Sequence, residues 1–594
     1  MQGDAVQSPR ISEPGPTLGN TTQSDGIRGP AIVLLIAIVA IGAGPVSTPV
    51  ETQSSLPVPA GREVTYAADI APLLARECVG CHSAGGSGPF PLTTYAEVRE
   101  RAERIVRATE EGVMPPWLPV SEPGTFAGER HLDDREIGLI RSWFDEGMPS
   151  GDLAAAASIE VEPGWDPGVP DLVVTLPTYR LQAEGRDIYR NLVVPIPVEE
   201  TRWVEYVELR PGSRTAVHHA RMMVDATRSS QELAAQDPDP GFDGMELLSN
   251  ASNPDGHFIG WTPGKTRLPP LEGMPWRLDP GTDLVVQLHL RTSGVEQDVA
   301  ATVEFHFSDE PPSREPAILV VSSMMIDIPE GATDYRVSNS FTLPVDVELL
   351  SIYPHAHYLG KELNATAVLP SGREVPLIRI PDWDFNWQDD YRFAEPISLP
   401  RGTLIVKDFS FDNSADNPNN PADSPRRVVY GSNSDDEMAD LILQVLPRNA
   451  EERAELLQAQ AWQHETEDMA YMAESEFSKG REAARGGDLD VALGHFQESL
   501  QYRSDHIGSL VGLAEIFIER GDGASAVLIA RQGVLVSNGT NALALQALSA
   551  AHEAAGQLDE ALDAAEDAQK RARAMGDREL QQALEDRIRR LKGR

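Results

Sequence analysis

Between Pro170 and Leu446 the chain repeats one pattern, short runs of Val, Ile, Leu, Tyr and Thr separated by Gly, Pro, Asn and Asp. "DLVVTLPTY", "WVEYVELR", "DLVVQLHLRTSG", "ATVEFHF", "DVELLSIY" and "GTLIVKDFSF" are the clearest of these runs. β-branched and aromatic residues pack well on a pleated surface, and Gly/Pro turns at this spacing predict all-β sandwich material. The stretch is long enough for two tandem all-β sandwich domains, at 170–312 and 313–450. It contains no cysteine, the only two in the 594 residues being Cys78 and Cys81. A disulfide framework is therefore excluded, and the sheets must be held by packing.

The flanks have different periods. From Glu465 onward the chain is rich in Ala, Glu, Leu, Gln and Arg, with Gly487, Gly521 and Gly556 marking turns and Ala492, Ala526 and Ala561 following on the next helices. That spacing is the tetratricopeptide period and predicts an all-α helical-repeat tail over 451–594, a scaffold suited to a protein partner or to simple stabilisation. Before the β region, "YAADIAPLLAREC" and "YAEVRERAERIVRATEEGVMPPW" are helix-periodic and predict a small all-α domain at 63–152, followed by a linker at 153–169. Residues 1–62 are polar and rich in Ser, Gly, Pro and Thr, except for "AIVLLIAIVAIGAG" at 31–44. This run reads as the hydrophobic part of a signal peptide or a signal anchor. The formal net charge of -42, from 92 acidic and 50 basic residues, argues against nucleic-acid binding.

The two cysteines stand in "CVGCH", Cys78 to His82. C-x-x-C-H is the pattern for covalent attachment of haem c, the following histidine taking an axial iron position. A redox dithiol is the alternative, but it leaves His82 without a role. Met114, in "GVMPPWLP", is the candidate sixth ligand, with His131 next. With "CHSAGGSGPF", "MPPW" and "IRSWFDEGMPSGD", the segment resembles the class I cytochrome c domain. The resemblance implies a bacterial periplasmic location or one on the outward-facing side of the cytoplasmic membrane; the run at 31–44 anchors the chain there if it is a signal anchor rather than a cleaved signal peptide.

Histidines recur in the β region. "AVHHARMMVD" contains His218 and His219, and "VVQLHL" contains His289 on an apolar strand. Adjacent residues of a regular strand point to opposite faces, so His218 and His219 can share an ion only where the strand ends or twists; otherwise one of them packs or caps. Three imidazoles suit copper or zinc. "PHAHYLG" places His355 and His357 on one face of a strand, and "SNSDDEMADLIL" supplies Met438, whose thioether shifts the choice toward copper.

Together these motifs resemble the copper type II, ascorbate-dependent monooxygenases, the family of peptidylglycine alpha-hydroxylating monooxygenase and dopamine beta-monooxygenase. The resemblance implies an electron-storing copper on His218, His219 and His289, and an oxygen-activating copper on His355, His357 and Met438. It implies hydroxylation of a substrate C–H bond with molecular oxygen, and the fused haem domain is the expected electron relay, beside an external donor. Two departures limit it: no cysteines remain for the animal enzymes' disulfides, and Tyr353 stands where the peptide enzyme has its carboxylate-binding arginine. A glycine-extended peptide is therefore not supported, and the organic substrate is left open. The competing expectation is a noncatalytic periplasmic haem and copper electron-transfer or copper-binding protein with a protein-interaction tail.

Other residues have less definite readings. His257 either lines the cleft or sits in a surface loop, and His306 packs or faces solvent. In "IPDWDFNWQDDYRF" the aromatics form a substrate-facing wall, or Trp383 and Trp387 cover a sheet edge. Asp412, Asn413 and Asn417 read as Asx turns more simply than as a calcium site.

Overall fold

Three regions of different secondary structure follow one another along the chain. The computed structural model describes residues 62–594 apart from 84–87, 123, 157–164, 186 and 246–248. The first region is built from short helices, chiefly Ala71–Glu77, Tyr95–Glu100, Ala102–Glu110 and Asp134–Asp145. Capping boxes start two of them: Thr94 with Glu97 and Asp133 with Glu136 each satisfy backbone donors that helix geometry leaves orphaned. Ile70, Leu74, Val98, Ile140 and Trp143 form their shared core.

The Pro-rich stretch after Glu110 does not stay with those helices. Val120 N–H donates to Arg379 O at 2.9 Å, Ala127 N–H donates to Arg392 O at 2.8 Å, and Phe126 forms a β-bridge with Phe393. The Trp117 ring meets Tyr391 edge-on at 5.3 Å, and Phe126 is buried in the core of the second β region. A stretch expected inside a self-contained helical domain thus packs on a distant sheet, because its prolines cannot continue a helix.

The middle region is β-rich and antiparallel, with two cores. Around the first, a five-stranded sheet runs in the order Phe242–Asp243, Ile188–Pro195, Asp283–Leu290, Val217–Asp225, Ile259–Trp261. A four-stranded sheet, Leu172–Thr175, Thr302–Ser308, Arg202–Arg210 and Trp276–Leu278, contributes Val204, Leu209, Val303 and Phe305 to the same core as Leu192, Val286 and Leu288. The second core lies between two further four-stranded sheets. One orders Ala317–Val321, Ala439–Pro447, Val347–Ala356 and Tyr391–Leu399; the other orders Tyr335–Thr342, Leu404–Phe411, Gly360–Val368 and Glu374–Ile380. Leu319, Leu349 and Leu443 from the one meet Phe341, Leu363 and Phe409 from the other.

The C-terminal region is an α-helical repeat array. Its first helix, Ala450–Arg485, is 36 residues long and lies partly on the second β region, where Gln463 Nε2 donates to Ser340 O and His464 Nε2 contacts Val320 O, each at 3.1 Å. Helices Leu489–Tyr502, Ile507–Glu519, Gly523–Val536, Ala542–Ala554, Leu558–Met575 and Arg578–Lys592 follow. Gly487, Gly521 and Gly556 have φ of 83°, 76° and 75°, the left-handed conformation that glycine adopts without a Cβ penalty and that lets each chain reversal be tight.

Among the described residues no helix is long and apolar enough to cross a membrane; the run at 31–44, on which the expectation of anchoring rests, lies outside the described residues.

Candidate metal centre

A β-bulge answers the question raised by the adjacent histidines. The strands Val217–Asp225 and Asp283–Leu290 pair with His219 opposite His289, and their register shifts between Val217 and His219. The extra residue turns the local backbone, so both His218 and His219 reach the side on which His289 lies. Their donor nitrogens and that of His289 all lie within 4.8 Å of one another.

The hydrogen bonds around this cluster assign its protons. His289 Nε2–H donates to Asp187 Oδ2 at 3.0 Å, because a carboxylate only accepts. That leaves the Nδ1 lone pair of a neutral His289 facing His219 Nε2 at 3.0 Å. The amide nitrogen of Gln388 approaches the same His219 Nε2 at 3.3 Å, and its orientation is fixed because it also donates to Phe385 O at 3.2 Å. His219 Nε2 and His289 Nδ1 are therefore both unprotonated ring nitrogens lying 3.0 Å apart, a pair of donors that one cation can share. Burial lowers the pKa of His218 to about 3 and holds His219 well below the ordinary value, while His289 is lowered by burial against the opposing pull of Asp187. All three are neutral near pH 7, the state in which imidazole binds a metal. Tyr189, stacked on His289 at 4.4 Å with rings 7° from parallel, fixes the ring plane.

The second set sits at the end of strand Val347–Ala356. The rings of His355 and His357 are 5.2 Å apart. His355 Nδ1–H donates to Gln388 Oε1 at 2.7 Å, and His357 Nδ1–H donates to Asp436 O at 3.2 Å. His357 is fully buried and its Nε2 has no hydrogen-bond partner. A buried, unsatisfied imidazole nitrogen needs an explanation, and a metal ion supplies one. Burial lowers His357 to about 3 and also lowers His355. Met438 is tied to this strand end through Glu437, whose carboxylate accepts the backbone N–H groups of His357, Leu359 and Met438. Glu437 is wholly buried, and burial pushes its carboxyl up to about 8.

One cavity of about 230 Å³ is lined by His219 from the first set and by His355 and Met438 from the second. Phe385 stands between them, its ring 6.3 Å from His219, 6.1 Å from His289, 6.4 Å from His355 and 5.6 Å from His357. Gln388, 2% exposed, links His219 to His355 and also accepts the Tyr353 hydroxyl at 2.8 Å. The acidic and aromatic stretch at 380–393 thus reaches the site through Phe385 and Gln388. Trp383 is buried behind His357, donating from Nε1 to its carbonyl at 3.1 Å. Asp187, Phe385 and Gln388 escape sequence reasoning because no motif marks them; only the pairing of Tyr189 with His289 places Asp187 beside that ring.

The remaining candidates lie elsewhere. His257 is held by Asp255 O at 3.1 Å and Met274 O at 2.8 Å, with both ring nitrogens engaged outside the clusters. His306 packs against Tyr206 with rings 5.8 Å apart. Asn417 Nδ2 donates to Asp412 O, Ser414 N–H donates to Asp412 Oδ1, and Asn413 is wholly buried with its amide on Pro329 O and Arg426 O, the pattern of local turns.

The expectation of a covalently held haem is corrected. No family model matches the chain. Burial pushes the Cys78 thiol up to about 12, away from the reactive thiolate form. The Cys81 sulfur packs on Gly264, where an added Cβ would lie 2.1 Å away, and the His82 ring is held by Phe90 O at 2.9 Å. Cys81 and Arg130 meet Gly264 of the first β region, beside a cavity of about 870 Å³ that Cys81, Arg130, His257 and Lys265 help to line. Met114 follows helix Ala102–Glu110 with its N–H on Ala108 O at 3.0 Å, and His131 lies 3.7 Å from Glu129.

No curated protein matches the chain either. Among solved structures, the first TPR domain of the human RPAP3 protein is 17% identical, covering 21% of this chain and 92% of that one at a TM-score of 0.19. The N-terminal domain of stress-induced protein-1 from C. elegans is 20% identical, covering 20% and 95% at 0.18. PcrH in complex with the chaperone binding region of PopD is 18% identical, covering 20% and 90% at 0.19. The C-terminal all-α repeats are similar to such domains.

Proposed function

We propose that this chain is a copper-binding redox protein with two imidazole-built sites on one cavity and a helical-repeat arm for a protein partner. The observation that carries it is the convergence of donor nitrogens of His218, His219 and His289, with His219 Nε2 and His289 Nδ1 3.0 Å apart. The donor set fits copper: imidazole suits copper and zinc alike, and a thioether at the other set favours the softer ion. His218, His219 and His289 would hold one ion, and His355, His357 and Met438 the other. Bound copper would supply one-electron redox chemistry.

The chain's own part is orientation. Asp187 keeps the proton on His289 Nε2, leaving Nδ1 for the metal, the arrangement by which outer carboxylates fix a histidine ligand. Gln388 and Asp436 keep protons on the Nδ1 atoms of His355 and His357, leaving each Nε2 as donor. Glu437 holds Met438 to the same strand end.

A second reading is oxygen-dependent hydroxylation of a substrate C–H bond, favoured by the unlike second donor set opening on the cavity that His219 also lines. Its stoichiometry takes substrate, oxygen, two electrons and two protons to alcohol and water, the electrons coming from an external one-electron donor. In the same copper-loaded preparation, metal analysis and spectroscopy should find two coppers with His-rich ligation. Fewer than two would defeat the binding reading. Reductant-dependent oxygen uptake that rises with an added organic substrate and yields its hydroxylated product would select the second reading over the first.

A further inference from the structure

Among the described residues, two charged groups on the cavity form no ion pair. Arg221 lies two residues beyond His219 on the same strand and lines the cavity. Its Nε is buried without a hydrogen-bond partner, its Nη2 reaches only Asn253 Oδ1 at 3.3 Å, and no carboxylate among the described residues forms an ion pair with it. A guanidinium stays charged in a protein, so burying it unpaired is costly. Asp440, opposite His355 in the strand pairing, lines the same cavity, and its Oδ1 is buried without a partner. Arg221 and Asp440 form no direct ion pair with each other, although each lies within electrostatic reach of the other. The other carboxylates on the cavity, Asp389 and Asp390, are already matched by Arg130 and Lys265. The groups left without a direct ion pair among the described residues are thus one cation and one anion, in a space of about 230 Å³.

We infer that this cavity binds a small zwitterion of the α-amino-acid class, its carboxylate on Arg221 and its ammonium group on Asp440. The inference deepens the site reading above by naming the ligand class, but it stands on the cavity's charges rather than on the metal. A carboxylate on a guanidinium forms the strong, two-pronged kind of hydrogen bond, and an ammonium group supplies the donors that Asp440 lacks. Phe258 and Trp261 give the ligand's side chain an apolar wall. Neither a simple amine nor a simple acid satisfies both groups.

The test is calorimetric titration of the metal-free full-length chain with alanine, leucine and phenylalanine, each against its decarboxylated amine and its deaminated acid. Metal-free protein avoids chelation of copper by the amino acids. At least one amino acid should bind about tenfold or more tighter than both counterparts, the size of one charge-assisted hydrogen bond. Arg221→Gln should remove the preference over the amine, and Asp440→Asn the preference over the acid. Arg221→Lys, which keeps the charge, should retain part of the preference if Arg221→Gln fails to fold. Equal binding of the three classes, or no binding by any amino acid, overturns the inference. A separate copper titration of the same preparation tells that failure from failure of the copper reading.

Discussion

His289 Nδ1 and His219 Nε2 face each other at 3.0 Å across paired strands, while His289 Nε2 donates to Asp187. The contact depends on a carboxylate that sets the proton on the far side of the ring. Replacing Asp187 with Asn should weaken copper at this cluster by about 10- to 100-fold, the usual cost of losing such an outer partner. Copper titration followed by electron paramagnetic resonance measures it. The second set should keep its affinity.

His357 offers its orphaned Nε2 only to the second set. His357→Ala should remove one of the two coppers and leave the spectrum of the His218, His219 and His289 site unchanged. Loss of both coppers together would show that the two sets do not bind independently.

Gln388 holds opposite ends of its amide against the two sets. Gln388→Leu should keep the fold, since the side chain is near in size, but should cost the second set about one hydrogen bond, roughly 1 kcal/mol or fivefold in affinity. The altered imidazole orientation should also change copper hyperfine couplings, which a merely structural substitution would leave alone.

Lys407 is fully buried, its Nζ donating to Ala439 O at 2.6 Å, and burial lowers its pKa from the ordinary 10.5 to about 8. Below pH 8 both folded and unfolded chains carry the proton, and the cost of the buried charge is fully present. Between pH 8 and 10.5 the folded chain releases a proton that the unfolded chain keeps, so this residue's contribution to stability rises with pH. Denaturant unfolding of wild type and Lys407→Met should show wild type gaining about 3 kcal/mol on the variant across that window. A flat difference would refute the assignment.

In the tail, the Phe496 ring is wedged between Gly480 and Gly512, and a Cβ on Gly512 would lie 2.6 Å from it. Gly512→Ala should destabilise the repeat array by about 1–3 kcal/mol through overpacking, despite alanine's better helix propensity. Thermal unfolding followed by circular dichroism at helix wavelengths reads it.

The sequence alone placed the helical repeats, because glycines and alanines at a fixed period are a local signal, and it placed the β-rich middle, because β-branched alternation is local too. His218, His219, His289, His355, His357 and Met438 could be named as candidates from residue type and spacing. What joins them was not legible. A bulge at His218, a strand register that sets Asp187 beside His289, and a loop that threads Phe385 and Gln388 between the two sets are long-range facts, fixed by which strands pair. The Pro-rich stretch around Trp117 and Phe126 shows the same limit: its composition ruled out a helix, but only packing decided that it would cover the second β core. Composition and period determine which elements form. Tertiary structure alone decided which ring nitrogens meet and which charged groups, Arg221 and Asp440, line one cavity without a direct ion pair among the described residues, because those outcomes depend on groups far apart in the chain being buried together.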